Sequence, residues 1–377
     1  MDKRPIGFTP RHRPARRSLS WLMAACLAPV GLFCPPGAAG AVPVPLPLAA
    51  SQAASPAVPP AECGANKAAG TVKFVSPFGY DASAGIIDVY AAKKLGYFKD
   101  LCLDVDFIDA PPGESLPLVS AGTAQVTGEG SAADTLVAQA NGANFVGVST
   151  FGDISDYVLL TRAGITNLKQ LQGKVLGYHA VLPVVLDEML VKAGVDLSKV
   201  TLVNDTTYNP LLLVTGRYDA LQAYESNEPI TLRDAHEPFT MWTPAQFGVS
   251  GTFNVQVVNR VFLSAHRQAV ADFLRAELKA FNYCVNNAAV CVGFLAKASA
   301  TLFDVGHAEQ EWRIESALAE QHHLPGQGTG VQSAAEWQPE AAAVLKYHLV
   351  SKPVDLARDE DTSIAASLYH GTALIWP

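Results

Sequence analysis

The sequence predicts an α/β protein of two lobes, with a chain that leaves the first lobe and later returns to it. Three observations carry this expectation. Short strand-like runs alternate with helix-like runs at the spacing of βα units, the rhythm breaks and restarts near residue 168, and the last third of the chain is nearly all helical in pattern.

The elements follow in order. Residues 71–75 alternate as a strand and stop at Ser76-Pro77-Phe78-Gly79. A helix is predicted over 83–95, with Ser83 as its cap, Ile86, Val89 and Tyr90 on one face, and Gly96 as its stop. Strands are expected at 104–108, 125–127 and 145–148, with helices at 115–122 and 131–141 between them. After the restart come a short helix at 168–171, strands at 173–177, 200–203 and 218–224, and helices at 184–193 and 210–216. Residues 263–284 have the apolar stripe of a long amphipathic helix, and further helices fill 290–300, 308–321 and 337–349. No repeat of about 20–50 residues is visible, which argues against a solenoid.

Composition sets the class. The 377 residues are 49% hydrophobic and 16% charged, enough for two domains with real cores. Six basic residues and one acid stand in the first seventeen. Removing them from the 27 basic and 35 acidic residues leaves 21 against 34, about −13 for the body of the chain. Such a body repels phosphate backbones, so no nucleic-acid partner is expected.

Residues 1–41 read as an export signal: a basic start, an apolar run from Trp21 to Phe33, and a small-residue stretch through Ala39-Gly40-Ala41. That run is shorter than the ~20 residues a membrane span needs. Arg16-Arg17 permits a twin-arginine route, and Leu22-Met23-Ala24-Ala25-Cys26 permits a lipid anchor. Residues 42–62, rich in Pro and Ala, read as a semi-extended linker, with the folded part starting near Cys63. The protein is therefore expected in the periplasm or at the cell surface.

Four cysteines remain beyond the signal: Cys63, Cys102, Cys284 and Cys291. In an oxidising compartment an even number suggests two disulfides, Cys284–Cys291 and Cys63–Cys102, with small buried side chains as the alternative. On one straight helix Cys284 and Cys291 would stand ~10.5 Å apart, too far to bridge, but Asn286-Asn287 between them favours a helix end and a turn. The sequence contains no C-x-x-C and no Cys/His cluster, so no metal and no cofactor are expected.

Catalytic motifs do not survive inspection. Gly128-Glu129-Gly130-Ser131-Ala132 lacks the G-x-S-x-G order, and Gly326-Gln327-Gly328-Thr329-Gly330 has no strand before it. His322-His323 are adjacent and point apart, and His236-Glu237 lacks a second histidine. The chain is expected not to be an enzyme.

Residues 89–100, ending Lys94-Leu95-Gly96-Tyr97-Phe98-Lys99-Asp100, are followed by Leu103-Asp104-Val105. This stretch resembles the signature of the periplasmic solute-binding proteins of ABC importers for sulfonates, nitrate and thiamine-pyrimidine precursors. Residues 120–126, 168–177 and 216–220 resemble the same family in the same order, so the likeness spans roughly 71–299. Tyr224-Glu225-Ser226-Asn227-Glu228-Pro229 resembles a segment of the pyrimidine-precursor binders.

The resemblance implies a type II periplasmic-binding-protein fold, two α/β lobes joined by two crossing strands near 157–161 and 253–259. Lobe one would hold 63–155 and 256–377, and lobe two 156–255. It further implies a monomer that delivers its small-molecule ligand to a membrane permease. Two departures bear on the ligand: Cys102 stands where the signature usually has glycine, and Tyr178-His179-Ala180-Val181 replaces a small, Gly/Ser-rich loop.

Ligands of such sheets bind where strand carboxyl ends open into loops, here 76–85, 109–117, 128–133, 151–157, 178–183 and 224–227. None of these loops contains Lys or Arg. Phe78, Tyr80, Phe151, Tyr157, Tyr178 and Tyr224 offer aromatic faces, Asp81, Glu114, Asp153, Asp156 and Glu225 offer acceptors, and Asn227 and His179 complete the set. Helix starts at Ser83, Ser115 and Ser131 could receive an anion. The balance favours a flat, neutral or cationic nitrogen heterocycle. A small anion and an exported enzyme using Glu225 or His179 are the alternatives. The alternative reading makes Phe78, Phe151 and Tyr224 core, His179 a surface or capping residue, and Glu228 a structural anchor.

Overall fold

Two five-stranded sheets organise the chain. In the computed structural model, residues 57–108, 110–111, 113–299 and 303–377 are described. The expected export signal, and the expected linker through residue 56, lie outside them.

The strands are β1 (Thr71–Val75), β2 (Asp104–Ile108), β3 (Val126–Glu129), β4 (Phe145–Gly152), β5 (Tyr157–Arg162), β6 (Val175–Tyr178), β7 (Thr201–Asn204), β8 (Ala220–Tyr224), β9 (Phe239–Trp242) and β10 (Phe253–Asn259). One sheet has the order β2-β1-β3-β10-β4 and the other β7-β6-β8-β5-β9. In each, four strands run in one direction and the fourth in the order, β10 or β5, is inserted against them. The added strands β10 and β5 occupy equivalent places: β5 enters the second sheet from the first lobe, and β10 returns. The passages between the lobes are only residues 153–156 and 249–252. Strands β4 and β5 are buried along nearly all their length, which follows from their continuous apolar runs.

Lobe one packs Phe74, Phe98, Phe273, Phe281 and Trp312 between its sheet and its helices. Lobe two is built on Leu159, Leu176, Leu186 and Leu190. Its core also takes Ala343, Val344 and Val350 from the C-terminal region, and Lys346 reaches Glu188 at 3.3 Å. The helix Ala334–Lys346 bridges the lobes: Trp337 and Ala341 pack with Leu136 and Phe145 of lobe one, and Ala343 and Val344 with the lobe-two core.

Both cystine bridges form, with Cα atoms 5.2 Å apart for Cys63–Cys102 and 5.7 Å for Cys284–Cys291. The helix Arg267–Asn286 ends at Asn287, where φ is −136°, and the helix Ala288–Ala298 starts after it, turning Cys291 back to Cys284. Cys102 has a φ of +60°, a conformation that suits glycine.

Three boundaries differ from the sequence reading. A helix begins at Pro60, not near Cys63, because proline is pre-set for the first helical turn; Val58 before it is already buried. The helix expected from Ser83 starts at Ile87, since the Ser83 hydroxyl is engaged elsewhere. The long amphipathic run divides at His266 into Arg260–Ala265 and Arg267–Asn286. Among the described residues no helix is long and apolar enough to cross a membrane.

Candidate functional site: the cleft between the lobes

The carboxyl ends of β1 and β3 in one lobe face that of β8 in the other. From lobe two, Tyr157 and Tyr224 meet at 4.9 Å between ring centres, with hydroxyls 3.3 Å apart. Phe78 of lobe one lies edge-on to Tyr224 at 6.0 Å and is 48% exposed, so it forms the rim. The Tyr157 hydroxyl donates to Asp134 Oδ2 at 3.1 Å, and the Ser131 hydroxyl donates to the same oxygen at 2.7 Å. Ser131 also caps the helix Ala132–Ala140. Gly130 permits this approach: a Cβ there would stand 2.6 Å from the Tyr157 hydroxyl.

Glu315, buried on the helix Val305–His322, joins the two sides. One oxygen accepts from Ser83 Oγ (2.9 Å), the Ala84 N–H (2.8 Å) and Asn254 Nδ2 (2.7 Å); the other accepts from Ser226 Oγ of lobe two (2.9 Å). Beside it, His307 Nε2 and Asn227 Oδ1 are 2.9 Å apart, a second contact between the lobes. Glu228 Oε2 accepts from the Tyr224 N–H at 2.9 Å and so anchors the loop. The Glu225 N–H donates to the Asp156 carbonyl at 2.8 Å.

Electrostatics here is dominated by carboxyls out of water. Burial, then the Asp134 charge, pushes Glu129 up to about 8. Burial puts Glu315, Glu228 and Glu340 at about 7. Asp156 and Glu311 are driven well above the carboxylate range by burial, with Glu315 and Asp81 respectively as the next cause. Burial raises Asp134 as well, against the hydrogen bonds from Ser131 and Tyr157. Burial also raises Glu225, which Arg233 and His322 hold down in part. Both tyrosine hydroxyls are held well above their ordinary range by burial, chiefly beside Asp134 and Asp156.

Several expected site residues stand elsewhere. Phe151 is fully buried, packed on Phe281 at 5.6 Å, because β4, the end strand of its sheet, is covered along its whole length; it does not line the cleft. Tyr80 lies against Tyr90 at 5.4 Å and packs on the lobe-one core. His179 is buried in lobe two, with Nδ1 2.9 Å from the Asp205 carbonyl and its ring stacked on Tyr208 at 4.1 Å. Tyr178, half-buried at the end of β6, packs on the same core. Glu114 is exposed and Ser115 buried at the head of the helix Ser115–Ser120, and among the described residues no side-chain hydrogen bond joins them to the cleft. Asp81 is not one of these: half-buried beside Glu311, it acts electrostatically on Glu315 and Glu228 at the seam.

The sequence reading missed Glu129, Asp134, Asn254, Glu311 and Glu315. Glu311 and Glu315 had one signal: they share a helix face with Ala308, Trp312 and Ala319, all buried, and acids on an apolar face require a partner.

On the lobe-one side a small hollow of about 10 Å³ is lined by Phe78, Ser83, Gly85, Glu129 and Asn254. A larger depression of about 780 Å³ lies on lobe two between Arg162, Lys174 and Asp219. It sits at the wrong end for a sheet ligand: Lys174 and Asp219 precede β6 and β8, and Asp219 pairs with Arg162 (3.7 Å) and Lys174 (3.6 Å).

The family NMT1/THI5 like matches residues 83–289. The chain belongs to the NMT1/THI5-like family. No match to a curated protein was found. Among solved structures, the alkanesulfonate-binding protein SsuA from Xanthomonas axonopodis pv. citri, bound to MOPS, is 14% identical. It aligns over 77% of this chain and 98% of its own, with a TM-score of 0.56. A ligand-binding component of an ABC-type import system from Staphylococcus aureus, with zinc bound, is 12% identical over 78% and 97%, at 0.59. The desulfurization enzyme DSZB is 12% identical over 79% and 98%, at 0.54. At these identities the likeness establishes the fold, that of the periplasmic solute-binding proteins.

Proposed function

We propose that this NMT1/THI5-like chain is an exported solute-binding protein that captures a flat nitrogen heterocycle, neutral or cationic, and delivers it to an ABC-type permease. The observation that carries this is a cleft walled from both lobes by Phe78, Tyr157 and Tyr224 and by carboxyls, with no Lys or Arg in its loops. Rings supply stacking faces, and carboxyls accept or, when protonated, donate hydrogen bonds to ring nitrogens and amino groups. The Glu315–Ser226 and His307–Asn227 bonds join surfaces that must part to admit a ligand, as expected of a clamshell that closes on its solute.

The fold also carries an enzyme, DSZB, so turnover is the second reading. Acids poised near neutrality, Glu129 and Glu315, are the feature that favours it. Native mass spectrometry of the mature protein from its source, with denaturing release of what it holds, tests both. An intact heterocycle released in equal amount to protein is the expected result. A sulfonate or nitrate overturns the heterocycle assignment, and a chemically altered compound that the protein continues to convert overturns binding without catalysis.

A further inference from the structure

The carboxyls of the cleft lack a counter-charge. Asp81, Glu129, Asp134, Asp156, Glu311 and Glu315 come from four separate stretches of chain and influence one another electrostatically. Among the described residues none of the six lies within ion-pair distance of a lysine or arginine; Arg233 and His322 act on Glu225 instead. A carboxylate taken from water without a partner is costly, so this arrangement calls for protons or a cation.

Asp156 gives the second, independent sign. It is 2% exposed, its Oδ1 has no hydrogen-bond partner, and the charges that act on it are those of Glu315, Glu225 and Asp134. Its backbone is fixed where the chain passes between the lobes, directly before Tyr157. An acceptor held there, dry and unused, is placed for a donor brought from outside. The rings of Tyr157 and Tyr224 stand beside it.

We propose that the solute of this cleft is an organic cation, its charged nitrogen seated between Asp156 and Asp134 and its flat portion against Tyr157 and Tyr224. This rests on the cleft being a solute site and adds the charge class. An aromatic face attracts a cation through its quadrupole, and a charge-assisted hydrogen bond to a carboxylate is stronger than a neutral one. A bare metal ion fits less well, since among the described residues no three His, Cys, Asp or Glu side chains are grouped to hold one.

The test uses the mature protein and three flat probes of similar size: benzamidine (cation), benzamide (neutral) and benzenesulfonate (anion). Calorimetric titration is expected to show benzamidine binding at least about tenfold tighter than benzamide, with no binding of benzenesulfonate. Asp156→Asn should abolish that preference while leaving the melting temperature of the free protein equal or higher, because a buried unpaired acid has been removed. Should Asp156→Asn fail to fold, Asp134→Asn must lose the preference instead. Benzamide binding as well as benzamidine overturns the cation and leaves the cleft a binding site for neutral compounds. Preference for benzenesulfonate overturns the cation in favour of an anion. A preference unchanged in the folded variant overturns the assignment to these aspartates. Failure of all three probes to bind overturns this proposal, and the native mass spectrum then decides the solute-binding reading separately.

Discussion

The interiors of the lobes and the seam between them are built on opposite principles. Inside lobe one, Phe98 stacks on Phe273 at 5.1 Å, Trp312 meets Phe281 at 5.3 Å, and two disulfides tie the surrounding helices. Around the cleft, by contrast, buried acids join the lobes through hydrogen bonds: Glu315 with Ser226 and Asn254, and Asp134 with the hydroxyl of Tyr157, which meets that of Tyr224. Apolar burial is indifferent to pH and hard to undo reversibly. A polar seam can be re-solvated on opening, so its contacts cost less to exchange. A protein that must open and close needs the first in its lobes and the second between them.

Loss of the Cys63–Cys102 bridge should have the largest effect. It joins residues 39 apart, and removing a loop closure of that length costs about 4 kcal/mol. Cys63→Ala/Cys102→Ala is expected to lower the urea midpoint by the corresponding amount at every pH. A loss that grows with pH would show that the bridge supports the seam and would break the distinction.

The seam should respond to pH where the interiors do not. Burial raises Glu315 from an ordinary 4.5 to about 7, so its protonated form is the one folding favours. The stability it contributes is therefore complete below about pH 4.5 and is lost as pH rises through about 7, on the order of 3 kcal/mol. Urea titrations at pH 5 and pH 8 should show the parent losing more than Glu315→Gln by that amount. Equal losses would mean that Glu315 carries its charge in the cleft without penalty.

The smallest effect sharpens the account of lobe one. In the bridge-free background, glycine at 102 should recover about 1 kcal/mol relative to alanine, because φ there is +60°. If the two variants melt together, the positive φ is imposed by the bridge and relaxes without it.

Much of the lobes was legible in the sequence because it rests on local signals. The alternation at 71–75 and 104–108, the Ser131 cap and the Asn286-Asn287 break that lets Cys284 reach Cys291 are each set within a few residues. Tyr157, Tyr224, Phe78 and Asp81 were legible as candidates for the cleft because they lie in or beside the loops that leave strand carboxyl ends. Phe151 follows the same rule and fails it: β4 continues to Gly152, so its side chain is still inside the sheet.

What the sequence determined by itself, then, is the α/β alternation, the two lobes, the acidic body and the family signature, all products of short-range pattern and composition. Tertiary structure alone decided that Glu315 meets Ser83 across 232 residues, that Val344 completes lobe two, and that four distant stretches bring their carboxyls to one cleft. An acid on a helix reads the same in sequence whether it faces water or another lobe. Only the packing of that helix against β4 and the neighbouring helices of both lobes removes the water, and with it the reason for the acid to be ordinary.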